Sequence, residues 1–79
     1  MATKAPSTQL RKLMRQRICQ RIEALEMTRG AAGEQLAMNK AQISRLFDDQ
    51  DIFSLDRLVD AAAAIGLEVR ISAVRPYRD

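Results

Sequence analysis

Apolar residues recur along the first third of the chain at the spacing of an α-helix. Leu10, Met14, Ile18, Ile22 and Leu25 follow one another at steps of four, four, four and three, which puts them on one helical face. The spacing predicts a first helix over Leu10–Leu25, with Arg11, Arg15, Arg17 and Arg21 on its outer faces. Residues 1–9 carry Pro6 and small polar side chains with nothing to bury, and read as a flexible arm.

Three further helix starts are written in capping chemistry. Thr28 precedes a run of small residues and suits the N-cap of a helix from Arg29 to Leu36. Asn39 and Gln42 have the spacing of a capping box, and Met38 and Ile43 occupy the two positions of a hydrophobic staple. Ser54 caps a fourth helix, stapled by Phe53 and Leu58, with Asp56 in the first turn where the helix dipole favours an anion. Leu55, Leu58, Val59, Ala62 and Ile65 form its apolar face, and Gly66 is the left-handed residue that stops it.

After Gly66 the period changes to two. Leu67, Val69, Ile71 and Ala73 alternate with Glu68, Arg70 and Ser72, which predicts one β-strand ending before Arg75-Pro76. The pattern offers no second strand, and a lone strand leaves half its backbone groups unpaired. Pairing with the same strand of a second copy is the simplest remedy. Length argues likewise: a chain of 79 residues buries only about 60–65% of its unfolded surface, and a partner subunit is one of few supports open to it. The expectation is an all-α domain of four to five helices with a C-terminal strand. Leu67, Val69, Ile71 and Ala73 would join it across a homodimer. Residues 10–75 would form that domain, between the arm and a short tail at 76–79.

Composition removes several function classes. No histidine is present and Cys19 is the single cysteine, so no Ser–His or Cys–His nucleophile and no intramolecular disulfide can form. The expectation is a protein that is not an enzyme and holds no metal or cofactor. Asp48, Asp49 and Asp51 lack the alternating ligands and obligatory Gly of a calcium loop. No apolar run approaches the roughly 20 residues of a membrane span, and the opening MATKAPSTQ lacks a signal peptide's apolar centre. A cytoplasmic protein without a membrane partner is expected.

Charge is unevenly divided. The net charge is +3, yet residues 1–29 hold seven basic against two acidic side chains and the remainder six against eight. A basic half suggests a polyanion partner, nucleic acid first; a solvated, Arg-rich helix face is the other reading of the same residues.

The two short predicted helices on either side of Ala37-Met38-Asn39 have the dimensions of a helix-turn-helix. Ala32 and Leu36 would face inward, Met38 would plug the turn, and Ile43 and Leu46 would anchor the second helix. Gly33 supplies a small residue where the two helices cross closely.

From Met27-Thr28-Arg29 through Gln35-Leu36-Ala37-Met38-Asn39-Lys40-Ala41-Gln42-Ile43-Ser44-Arg45-Leu46, the chain resembles the phage-repressor and Cro-type (XRE-like) helix-turn-helix family. The segment Phe53-Ser54-Leu55-Asp56-Arg57-Leu58, with Ile65-Gly66-Leu67-Glu68-Val69-Arg70-Ile71 after it, resembles the subgroup of small regulators near HigA-type antitoxins. Departures are visible. Ala37 stands where the family's turn has Gly, Arg29 where it has Gln, Ala31 where it has an acidic or polar residue, and Asp48-Asp49-Gln50-Asp51 where a Gly-bearing loop is usual.

The resemblance implies a transcriptional regulator, expected as a repressor, that reads a palindromic double-stranded operator. Lys40, Ala41 and Arg45 would face base edges with Gln42 and Ser44 nearby, while Arg29 and Asn39 would hold phosphates with backbone N–H groups. An antitoxin with a cognate toxin partner and a prophage regulator are both open. So is a protein-interaction module on the same fold, binding through the acidic loop or the strand edge.

Overall fold

The helices α1 (Pro6–Ala24), α2 (Arg29–Leu36), α3 (Lys40–Phe47) and α4 (Leu55–Ala64) succeed one another along residues 6–67, the part described by the computed structural model. No strand occurs among the described residues. α1 packs along α4, α2 bridges α3 and α4, and α3 also reaches α1.

One core joins them, built from Met14, Ile18 and Ile22 of α1, Ala32 and Leu36 of α2, Ile43 and Leu46 of α3, and Leu58, Ala61 and Ala62 of α4. Met38, Phe53 and Ile65 close it from the connections. Ile18, Ile22, Ile43, Leu46 and Leu58 lose all or nearly all contact with water, each contributing about 1.5–3 kcal/mol. Both staples place their apolar residues here, since Met38, Ile43, Phe53 and Leu58 are all buried.

The first helix differs from its sequence reading in three ways. It starts at Pro6, inside the stretch expected to be a flexible arm, because proline suits the first helical position, where an N–H has no acceptor anyway. Arg11 then secures this early turn by donating from Nη2 to Thr8 Oγ1 at 3.1 Å. The helix ends at Ala24, so Leu25 falls in the turn and is 44% exposed instead of completing the apolar stripe. Arg15 is not on an outer face: it is 4% exposed, the one charged residue in the core among the described residues.

All four helices end alike. The N–H of Met27, Met38, Gln50 and Leu67 returns to the carbonyl of Ile22, Gly33, Arg45 and Ala62 at 3.2, 2.9, 3.0 and 2.9 Å. This is the Schellman closure, which needs a left-handed residue just before the returning N–H. Those residues are Glu26 (φ 56°), Ala37 (φ 56°), Asp49 (φ 60°) and Gly66 (φ 81°). Only Gly66 adopts the conformation without a Cβ penalty; at the other three the cost is about 1–2 kcal/mol each.

Gly66 therefore ends α4 as its sequence position predicts. Leu67, expected at a dimer contact, is partly buried against this chain's own core. The Schellman closure turns it there, bringing the residue after the glycine back over the helix's last turn. Val69, Ile71 and Ala73, the rest of the expected strand, lie outside the described residues.

Candidate nucleic-acid interface

The α2–turn–α3 unit is fixed by close backbone contact. A Cβ on Gly33 would lie 2.8 Å from the Met38 carbonyl oxygen and 3.5 Å from Ile43 Cγ1, so only glycine allows the turn to fold down onto α2. The turn is then tied to α4, since Arg57 donates from Nη2 to the Ala37 carbonyl at 2.8 Å. That bond was not legible in the sequence.

α3 divides cleanly into two faces. Ile43 and Leu46 are buried, Lys40, Ala41 and Arg45 are exposed, and Gln42 and Ser44 are partly exposed. Lys40, Ala41, Ser44 and Arg45 thus form one outward stripe, with the helix anchored behind them. Of the five site residues expected on α3, these four share one surface, while Gln42 lies at its edge with its side chain in the helix cap.

At the start of α3 the capping box is complete. Asn39 Oδ1 accepts the Gln42 N–H at 2.8 Å, and Gln42 Oε1 accepts the Asn39 N–H at 2.9 Å. The backbone N–H of Asn39, expected to hold a phosphate, is therefore occupied within the chain. What Asn39 and Gln42 keep for a ligand is the NH2 end of each side-chain amide.

Arg29 opens α2 and is exposed. Thr28 Oγ1 accepts the Ala31 N–H at 3.0 Å, and the N–H groups of Arg29 and Gly30 have no acceptor among the described residues. The Arg29 guanidinium lies over the Phe47 ring, Cζ to centroid 4.5 Å. Phe47 was not singled out in the sequence, because nothing local links it to a residue in another helix.

The acidic loop after α3 is engaged by α1. Arg15 donates from Nε to Asp49 Oδ1 at 2.8 Å and from Nη1 to Asp51 Oδ1 at 3.0 Å. Arg11 grips both oxygens of Asp51, at 2.7 and 3.0 Å, and Lys12 Nζ lies 3.4 Å from Asp49 Oδ2. Hydrogen bonding from Arg15 holds the Asp49 carboxyl below the ordinary aspartate range, and hydrogen bonding from Arg11 does the same for Asp51. Two of the loop's three carboxylates are thus compensated, and so are three of the basic residues that seemed free on α1. Asp48 stays exposed beside the end of α3.

Cys19 is half-buried and its thiol faces the Leu46 carbonyl, Sγ to O 3.6 Å. Burial, with Glu23 nearby, pushes its pKa up to about 11, so at neutral pH it is a thiol and a poor nucleophile. Among the described residues no cluster of three Cys, Asp or Glu side chains is placed to hold a metal ion. No described helix is long and apolar enough to cross a membrane.

A family model for a helix-turn-helix domain matches residues 1–74. The chain belongs to the helix-turn-helix domain family. This membership covers nearly the whole sequence and points to a DNA-binding regulator. No curated protein and no solved structure matches the chain at a significant level.

Proposed function

We propose that this helix-turn-helix protein is a cytoplasmic, sequence-specific transcriptional repressor that reads duplex DNA through α3. The observation that carries the reading is the outward stripe of Lys40, Ala41, Ser44 and Arg45 on a helix whose opposite face is locked into the core. An α-helix fits the major groove, where Lys and Arg donate to guanine O6 and N7 and an alanine methyl meets the thymine methyl. Gln42 and Ser44 lie beside that contact. Arg29 and the open N–H groups at the start of α2 take phosphate oxygens, and Asn39 adds its side-chain amide.

The operator is palindromic and the protein a homodimer, its α3 helices entering successive major grooves about 34 Å apart. Leu67, Val69, Ile71 and Ala73 supply the alternating pattern for joining the two copies. Catalysis, metals and cofactors have no part in this reading. The likeness to small HigA-type regulators supports an antitoxin role with a toxin partner, and a prophage regulator fits the same residues. A module that binds protein through the acidic loop is disfavoured, because Asp49 and Asp51 are already paired with Arg11, Lys12 and Arg15.

The test is binding to the duplex upstream of the protein's own gene beside a scrambled duplex, at about 150 mM salt. A preference of at least about 10³-fold for the native duplex is expected of a specific regulator. Equal, weak, steeply salt-dependent binding to both, or none, contradicts the reading.

A further inference from the structure

Arg29 and Phe47 are the first residue of α2 and the last of α3, and the guanidinium seated over the ring, Cζ 4.5 Å from its centroid, joins the two helices of the motif at the surface. Phe47 is half-buried and packs against the core, so its ring is a fixed platform, whereas Arg29 is exposed. No carboxylate among the described residues pairs with Arg29. It thus differs from Arg11 and Arg15, which are held by aspartates. A guanidinium stacked on a ring uses its π face and keeps its in-plane N–H fork free, the geometry that takes a phosphate by two parallel hydrogen bonds. A free arginine must give up much rotamer freedom to present that fork; one already resting on a ring gives up less.

We propose that Phe47 is a positioning residue for DNA binding: it holds the Arg29 guanidinium in the orientation that grips a backbone phosphate. This rests on the reading of the α2–α3 face as the DNA surface. It adds to that reading a residue that touches no DNA, and it assigns the phosphate contact of Arg29 to the side chain as well as the backbone.

The experiment compares the wild type with Phe47→Leu, Phe47→Trp, Arg29→Ala and the Arg29→Ala/Phe47→Leu double variant. Two quantities are read: the proton shift of the Arg29 Nε–H in the free protein, and Kd for native and scrambled duplexes. The wild type and Phe47→Trp should show the shift that a ring current imposes, and Phe47→Leu should lose it. Phe47→Leu should weaken binding to both duplexes alike, by about two- to fivefold, and Phe47→Trp should restore it. In the Arg29→Ala background Phe47→Leu should add nothing, which also shows that the leucine variant folds.

Equal weakening by Phe47→Leu with and without Arg29, or an Arg29 signal indifferent to residue 47, overturns the proposal while leaving the DNA reading intact. Failure of the wild type to bind either duplex overturns both.

Discussion

Arg15 and Asp49 stand 34 positions apart in sequence, and Arg15 Nε donates to Asp49 Oδ1 at 2.8 Å. The guanidinium is buried to 4% exposure, and the aspartate sits at the left-handed position that closes the end of α3, the helix proposed to read DNA. One hydrogen bond therefore ties the long first helix to the terminus of the recognition element. It satisfies a charge that the core would not otherwise tolerate.

Replacing Arg15 by methionine keeps the packed stem and removes the donors. Asp49 and Asp51 are more than one-third exposed, so water screens part of the loss. Stability should fall by about 1–2 kcal/mol, read as an earlier midpoint in chemical denaturation. An unchanged midpoint would show that the bonds to the loop contribute nothing.

Acid should act on the same contact. The carboxyls of Asp49 and Asp51 are held below their ordinary range by Arg15 and Arg11. The unfolded chain therefore binds protons first, and these groups support folding above about pH 4. Their contribution is lost as pH falls through the depressed folded values. The Asp49→Asn/Asp51→Asn variant should be less stable than the wild type at pH 7, with the gap narrowing as pH drops below about 4. A gap independent of pH would count against charge as its origin.

Compensation by the loop also bears on DNA. Arg11 and Lys12 already pair with carboxylates, so they are not free to neutralise phosphates and release the counterions condensed on the DNA. Arg11→Ala/Lys12→Ala should leave the slope of log affinity against log salt essentially unchanged. A slope shallower by about 0.9 for each residue removed would mean that α1 touches the duplex backbone after all.

Two substitutions where α2 meets the turn should move stability in opposite directions. Gly33→Ala forces a Cβ to 2.8 Å from the Met38 carbonyl oxygen, at a cost of about 1–3 kcal/mol. Ala37→Gly relieves a left-handed alanine at φ 56° and should stabilise by up to about 1 kcal/mol. Thermal unfolding of the two variants checks both signs.

The starts of α2, α3 and α4 were legible because capping is local. Thr28, Asn39 with Gln42, and Ser54 each announce their helix within four residues, and the structure places each at an N-cap. Gly66 marked the end of α4 for the same reason, while Glu26 and Asp49 adopt the same left-handed turn without any glycine to signal it. The close crossing at Gly33 and the anchoring of α3 by Ile43 and Leu46 followed from spacing alone, and the family resemblance pointed to the residues facing outward between them. What escaped was long-range. Arg15 reads as one more solvated cation until Asp49 and Asp51 are folded against it, and Arg57 on Ala37 and Arg29 on Phe47 likewise depend on partners in other helices. Charge counted along the chain overstated how much of α1 was free for a polyanion.

The central claim is that the stripe on α3 reads base sequence. Selecting bound duplexes from a randomised pool with the wild type and with Arg45→Ala tests it most directly. The wild type should enrich a single motif. Arg45→Ala should enrich the same motif with one position relaxed, a loss of about 1–3 kcal/mol of discrimination there. Enrichment of no motif by the wild type, or of an identical motif by both proteins, would contradict it.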